Sequence, residues 1–382
     1  MKVLYSTQSV VEYDGQHYYS NPVKATYPRY IPLGEDVTVL CHVKRVEIPQ
    51  SDMIEDGAVK FTFIPKINNL KTFLLEHNRI KKVIEKEVRN TDVCVVHMNG
   101  HGRIVLRYAK KYGKPIMSVV GGCPWDALWN YDWRGKLIAP WEWWRTKVAQ
   151  RQISYTIYVT KFFLQGRYPN GGHWVACSNV NIKTGEKAVL EQRMKRIETI
   201  IGNKNVLRIG TSAALDVPYK GQKYVIRALS LLRKKGVVLE YHLIGRGDPS
   251  LLRKEIEQYH LTEQVFIHGA LPHEKVLDFL DNIDIYIQPS KQEGLPRGLI
   301  EAMSRGCLCI GSNIAGIPEL LEEKYLFPKG NVRKLSNIIE HVDYENLKEQ
   351  ANRNFEVAKE YDGDLLNKKR SEFIQEFKKS IE

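Results

Sequence analysis

No stretch of this 382-residue chain approaches eighteen consecutive apolar residues, so no helix in it is expected to span a membrane. The opening MKVLYSTQSV turns polar after five residues, too soon for a secretory leader, and reads instead as a first buried strand. None of the six cysteines (Cys41, Cys94, Cys123, Cys177, Cys307, Cys309) belongs to a Cys-x-x-Cys pair, and no Cys/His spacing suits zinc. Most lie in apolar runs, where a free thiol acts as a small hydrophobe, so a reducing cytoplasm and no disulfide frame are expected. No short repeat is visible.

What is present suits a two-domain globular protein. The hydrophobic fraction is 43% and the charged fraction 26%, and the length exceeds what one core ordinarily holds. The net charge is +13 and it is uneven. Arg103–Arg167 holds twelve Lys/Arg against three acids, or nine of the thirteen net charges. A segment of that kind fits an anionic partner (nucleic acid, acidic lipid or a phosphorylated substrate) or, more plainly, a solvated helix face. Six of the seven tryptophans fall between Trp125 and Trp144, inside the same segment.

Strand-like apolar runs alternate with helical patterns along most of the chain. The runs are 37–43, 93–98, 115–120 and 155–160, then 206–211, 239–245, 264–269, 284–290 and 308–312. KYVIRALSLLRKK (223–235) repeats apolar residues at Val225, Leu229 and Leu232 and ends in basic residues that suit a helix C-terminus. Such alternation implies α/β architecture with parallel sheets covered by helices. A polar linker, 178–187, precedes a helix. The expected domains are 1–180, Rossmann-like and acceptor-binding, and 181–345, Rossmann-like and nucleotide-sugar-binding. A charged helical tail, 346–382, is expected to pack back on the first. Two such halves place a ligand in the crevice at the carboxyl ends of their strands.

The stretch DIYIQPSKQEGLPRGLIEAMSRGCLCIGSNIAGIPELL (284–321) carries the most chemistry. A strand ends near Gln288 and a loop leads to Pro296, read as the first residue of a helix. Gly294 is read as a sharp turn that admits a ligand. The helix N-terminus offers unpaired N–H groups to a phosphate. Glu293 and Glu301 flank that terminus. A carboxylate there would repel phosphate, so sugar hydroxyls are its natural partners. One sugar on each side of a diphosphate describes a nucleotide-sugar.

Glu293-x7-Glu301 within EGLPRGLIEAM, followed by GIPEL, resembles the signature of glycosyltransferase family 4, the retaining GT-B enzymes. PYKGQKYVIRAL, LIGRGD and QVFIHGALPHEKV resemble other family elements in the family's order, over about 206–321. YVTKFFLQGRYP and SNV resemble pieces of bacterial capsule and exopolysaccharide transferases. The resemblance implies a GT-B fold of two facing Rossmann-like domains. It implies sugar transfer from a nucleotide-sugar, UDP-linked in this reading, with no metal or cofactor. It assigns Glu301 to the ribose and Glu293 to the donor sugar. Lys220 and the amides of Gly294 and Leu295 would neutralise the departing diphosphate. Gly245 and His268 come from the resembling turns.

The family's Arg before the Lys is missing in GTSAALDVPYKG; Thr211, Ser212, Arg297 or Arg246 stand as its replacements. In VVHMNGHGR, His97, Asn99 or His101 takes the family's His position, His97 preferred. In GGCPWD, the paired glycines admit a ligand and Asp126 orients the acceptor.

The tryptophans divide in two. Pro124 to Gly135 reads as one helix with Trp125, Trp129 and Trp133 on a mostly packed stripe. Trp141, Trp143, Trp144 and Arg145 begin a second helix after Pro140, a basic amphipathic face for an anionic membrane or a lipid-linked acceptor. The expected setting is the inner face of the cell membrane, with a lipid-linked saccharide as acceptor. A nucleic-acid-binding protein is the alternative from another class, although no nucleic-acid motif is recognisable. An epimerase or phosphorylase of the same fold is a third reading.

Overall fold

The computed structural model describes residues 1–66, 70–203 and 206–382. Its first sheet holds β1 (Lys2–Tyr13), β2 (Tyr18–Tyr19), β3 (Asp36–Arg45), β4 (Lys60–Phe63), β5 (Val93–His97), β6 (Ile116–Val120), β7 (Tyr155–Tyr158) and β8 (His173–Ala176). They run in the order β4-β3-β1-β5-β6-β7-β8, all parallel, and β2 folds back antiparallel on β1. The second sheet is parallel, in the order β11-β10-β9-β12-β13-β14. Its strands are β9 (Arg208–Ser212), β10 (Glu240–Ile244), β11 (Val265–Gly269), β12 (Ile285–Gln288), β13 (Leu308–Ser312) and β14 (Leu326–Phe327). The apolar runs read from the sequence supply the central strands because a parallel sheet is covered on both faces. Edge strands β4, KFTF, and β8, HWVA, are short and only partly buried, and lack that signal.

Helices cover both sheets. In the first half they are α1 (Asn21–Thr26), α2 (Leu70–Arg89), α3 (Gly100–Lys111), α4 (Pro124–Trp129), α5 (Trp133–Gln150) and α6 (Phe163–Arg167). α7 (Lys187–Asn203) follows the linker. The second half adds α8 (Gln222–Lys234), α9 (Ser250–Gln258), α10 (His273–Asp281), α11 (Arg297–Ser304) and α12 (Val332–Glu340). The tail forms α13 (Tyr344–Ala358) and α14 (Gly363–Lys379).

The tail divides where the sequence reading kept it whole. α13 packs on α7 and α11 of the second domain. Only α14 lies on the first, where Phe373 and Phe377 meet the Tyr155 ring at 5.6 and 5.2 Å. The buried Arg370 donates to the Ser178 carbonyl at 2.8 Å. The apolar core of the first domain continues through Leu295, Leu299, Ile300 and Met303 into the second, so α11 is packed between the domains. All six cysteines are buried and unpaired.

The tryptophan segment also differs from its reading. Asp132 caps α5, accepting the Gly135 N–H at 2.7 Å, so a new helix starts at Trp133. Gly135 does not end a helix. A Cβ there would lie 2.1 Å from the Leu128 carbonyl oxygen, so glycine is needed where α5 crosses α4. Pro140 lies inside α5, where it removes one helical hydrogen bond without ending the helix. The stripe is therefore not one packed helix. Trp125 and Trp129 stack at 5.2 Å, while Trp133 is 66% exposed. Trp143 turns inward, edge-on to Trp125 at 6.3 Å. Trp141 and Trp144 turn out, 55% and 56% exposed.

Candidate active site

Between the carboxyl ends of the two sheets lies a cavity of about 1100 Å³. The second domain brings Ser212, Lys220, Gln288, Glu293, Leu295, Pro296, Arg297 and Glu301 to it. The first brings Asn21, Lys24, Arg29 and Asn179. Lys220 closes a short 3-10 turn, Pro218–Lys220, ahead of Gly221. Gly221 has φ +79°, and a Cβ there would lie 2.0 Å from the Pro289 carbonyl oxygen. That close approach sets the lysine beside the loop after β12.

Glu293 is the hub of this wall. Its Oε1 accepts from the Lys220 ammonium at 2.7 Å, from the Ser290 hydroxyl at 2.7 Å and from the Gln288 amide at 3.2 Å. Lys220 retains two further N–H donors for a phosphate oxygen. Glu293 keeps Oε2, which none of those three bonds engages. Ser290 is itself fixed, its carbonyl accepting from the buried Ser312 hydroxyl. α11 carries no side-chain N-cap, so its first N–H groups stay available to an anion. Pro296 is the N-cap residue and not the first helical residue, a one-position shift. Glu301 lies one and a half turns further and also lines the cavity.

Gly294 has a different reason from the sharp turn expected of it. Its φ is not left-handed; a Cβ there would lie 2.2 Å from the Gly121 carbonyl oxygen of the first domain. The missing side chain of Gly294 therefore lets its backbone touch that of Gly121 in the other domain. The Gly294 carbonyl in turn accepts the Gly316 N–H at 2.9 Å. Beside this contact the Glu319 carboxylate of GIPEL reaches across. It accepts the N–H groups of Lys161, Phe162 and Phe163 at 2.6, 3.0 and 2.7 Å. Three N–H donors on one carboxylate form a strong, charge-assisted clasp between the domains.

Several expected residues are placed elsewhere. Thr211 is fully buried, donates to the Ile287 carbonyl and accepts from the Tyr241 hydroxyl, so its hydroxyl serves the sheet and not a phosphate. Arg246 does not line the cavity; Arg297 and Ser212 do. Gly245 is tight backbone, φ +155°, with the Ala213 carbonyl oxygen where its Cβ would be. His268 stacks on His242 at 5.3 Å on β11, outside the cavity.

His97 is not a lining residue either. Its Nε2 lies 3.0 Å from the Tyr5 hydroxyl, and burial holds its pKa down to about 4. Asn99 caps α3 through the Gly102 N–H, and His101 packs edge-on to His42 with its pKa also lowered to about 4 by burial. Asp126 sits in the first turn of α4, outside the cavity. Residues missed by sequence reasoning include Asn21, Lys24, Arg29 and Asn179. A signal existed for three of them. They fall in NPVKATYPR, the connection after the first strand, where a doubly wound sheet gathers its ligands. Asn179 joins them only through folding, accepting from Arg29 at 2.7 Å.

Two parallel-sheet domains with this crevice define the GT-B architecture. Residues 200–356 match the family model described as Glycosyl transferases group 1, so the chain carries a domain of that kind. It is 28% identical over 346 residues to Protein CapJ of Staphylococcus aureus, spanning 89% of this chain and 85% of CapJ. It is 35% identical over 130 residues to the amylovoran biosynthesis glycosyltransferase AmsK of Erwinia amylovora, but this covers 31% of this chain and 32% of AmsK. Among solved structures, Anabaena Alr3699/HepE in complex with UDP aligns over 98% of this chain and all of that one, with a TM-score of 0.67 at 16% identity. Sucrose-phosphate synthase from Thermosynechococcus elongatus aligns over 98% of each chain with a TM-score of 0.69 at 11% identity. At those identities the structures speak for the fold alone.

Proposed function

We propose that this protein is a retaining glycosyltransferase. In this reading it moves a sugar from a UDP-linked donor to a hydroxyl of a lipid-linked saccharide in capsule or exopolysaccharide assembly. The observation that carries the reading is the wall of the cavity. Glu293, Lys220 and the uncapped start of α11 stand together, with Glu301 further along the same helix. Glu301 takes the ribose and Glu293 the donor sugar. Lys220, Arg297 and the α11 N–H groups take the diphosphate charge that grows as the sugar departs. The leaving phosphate receives the acceptor's proton on the same face. The names of CapJ and AmsK, and the UDP in the HepE complex, support the pathway and the donor class.

The setting proposed is the inner face of the cell membrane. No described helix is long and apolar enough to cross a bilayer. Trp133, Leu137, Trp141, Trp144 and Val148 instead form one exposed stripe along α5. Its residues span 15 helical steps, about 22 Å. Arg145 lies 4.1 Å from the Trp141 ring centroid, and Arg134 and Lys147 also lie over Trp rings. An apolar stripe with basic flanks suits an anionic interface.

The test is a binding and turnover series with UDP-, GDP- and ADP-sugars on the wild type and on Glu301→Ala, with the anomer of the product read by NMR. Binding of a UDP-sugar that falls at least tenfold in the variant, with a retained anomer, is expected. Absence of binding to every donor overturns the function, and an inverted product overturns retention alone. Flotation with anionic and neutral vesicles tests the setting; failure to float with either overturns it.

A further inference from the structure

A second cleft lies between the domains, about 420 Å³, on the other side of the loop that ends at Glu293. Its walls are the α4–α5 turn, from Trp129 to Lys136, and Tyr224, Lys291, Lys329 and Gly330 of the second domain. The volume falls in the range of small-ligand sites. We propose that this cleft binds an anionic saccharide, a sugar chain bearing carboxylate or phosphate groups, as the part of the acceptor beyond the reacting hydroxyl. That role rests on the glycosyltransferase reading; the binding itself does not.

Charge comes first. Lys136, Lys291 and Lys329 converge here, and among the described residues none of them forms an ion pair. The one acid in the cleft, Asp132, already accepts the Gly135 N–H. Three ammonium groups against one engaged carboxylate leave an excess of positive charge that an anion would neutralise. Shape comes second. Trp129, Tyr131 and Trp133 are all exposed, and Trp129 stacks on Trp125. Exposed flat rings in a concave polar wall suit the C–H faces of sugar rings; of these rings only Trp133 also belongs to the exposed stripe of α5.

Lys291 ties the cleft to the cavity. Its N–H donates to the Tyr219 carbonyl at 2.7 Å and its carbonyl accepts from the Asn130 side chain of the first domain at 3.1 Å. Its ammonium lies 5.3 Å from the Tyr224 ring centroid. It stands two residues before Glu293, so a ligand held by Lys291 sits against the donor loop.

Calorimetric titration on the full chain tests this with three probes: tetragalacturonate, glucose 1-phosphate and neutral maltotetraose. Variants are Lys136→Gln with Lys329→Gln, Trp133→Ala, and Lys220→Ala in the first cavity. At least one anionic probe is expected to bind ten times more tightly than maltotetraose. The double lysine variant is expected to lose at least tenfold, Trp133→Ala severalfold, and Lys220→Ala nothing. Glucose 1-phosphate is compared within the Lys220→Ala background, because the first cavity would also take a sugar phosphate. Binding of tetragalacturonate alone identifies an acidic glycan; binding of glucose 1-phosphate alone identifies a phosphate-linked one. Equal affinity for the neutral probe, an unaffected double variant, or loss of all anionic-probe binding in Lys220→Ala overturns the proposal. So does a lysine-dependent site that takes anionic vesicles and neither anionic probe. Circular dichroism and the thermal midpoint verify folding of each variant. If no nucleotide-sugar binds while the anionic probe still does, the function fails and the cleft stands.

Discussion

The second-domain wall of the cavity and the outer α4–α5 arm of the first domain are built differently. On the second domain, Lys220, Gln288, Ser290 and Ser312 form one hydrogen-bonded cluster around Glu293. Such a wall is organised before any ligand arrives, which is what electrostatic stabilisation of a leaving group demands. On the first domain, the α4–α5 arm turns Trp133, Leu137, Trp141 and Trp144 outward, each more than half exposed. Leaving that much apolar surface wet has a cost that a membrane or a ligand would recover. The wall is finished by its own chain; the arm is finished by whatever docks on it.

The largest effect is expected where the finished wall is broken. Lys220→Ala should lower kcat by about 10²- to 10³-fold with a much smaller change in KM, measured by initial rates once a donor is identified. A loss confined to KM would mean that the lysine only holds the ground state.

The joint between the domains comes next. Glu319→Ala removes the acceptor of three N–H groups, so a loss of about 2–3 kcal/mol in domain closure is expected. Small-angle scattering should report a larger radius of gyration. Unchanged scattering would show that the apolar core continuous through α11 and the return of α14 hold the domains together without the clasp.

The first domain should also answer to acid. His97 and His101 are held neutral by burial to about pH 4, while in the unfolded chain they would gain protons near pH 6.5. Between those values the unfolded state binds more protons, so stability falls as pH drops from about 6.5 towards 4. The slope is at most about 1.4 kcal/mol per pH unit for each histidine. Chemical denaturation at pH 7 and pH 5 measures it, and His101→Gln should flatten it. The smallest effect is expected at Trp141→Ala with Trp144→Ala. Stability should stay within about 0.5 kcal/mol of wild type while vesicle binding drops, because these rings pack on little of their own protein.

This contrast also governs what the sequence disclosed. Glu293 and Glu301 were legible because their spacing places them on one loop and helix, and Lys220, on a separate turn, because PYKG resembles a family element. The central strands were legible because double burial writes itself as apolar runs. Thr211 was misplaced since nothing local says that a strand-end hydroxyl points at Ile287 and Tyr241. Glu319 lay inside a quoted motif, yet its partners sit more than 150 residues earlier. The break at Asp132 was hidden because its cap competed with a Pro140 that looked like a stronger signal. Lys24, on α1, and Arg29, on the 3-10 helix after it, reach the cavity through a connection whose place at the crevice is set by the sheet topology.

The return of α14 to the first sheet has a consequence for how the molecule is made. Tyr155, Cys177 and Ser178 depend on Leu366, Arg370, Phe373 and Phe377 for their cover. During synthesis the first domain emerges early but cannot close that side until α14 has left the ribosome. The second domain, assembled from consecutive strand–helix units, has no such wait. The order of completion is therefore the reverse of the order of translation, and the exposed side of the first sheet is where a nascent chain would need a chaperone.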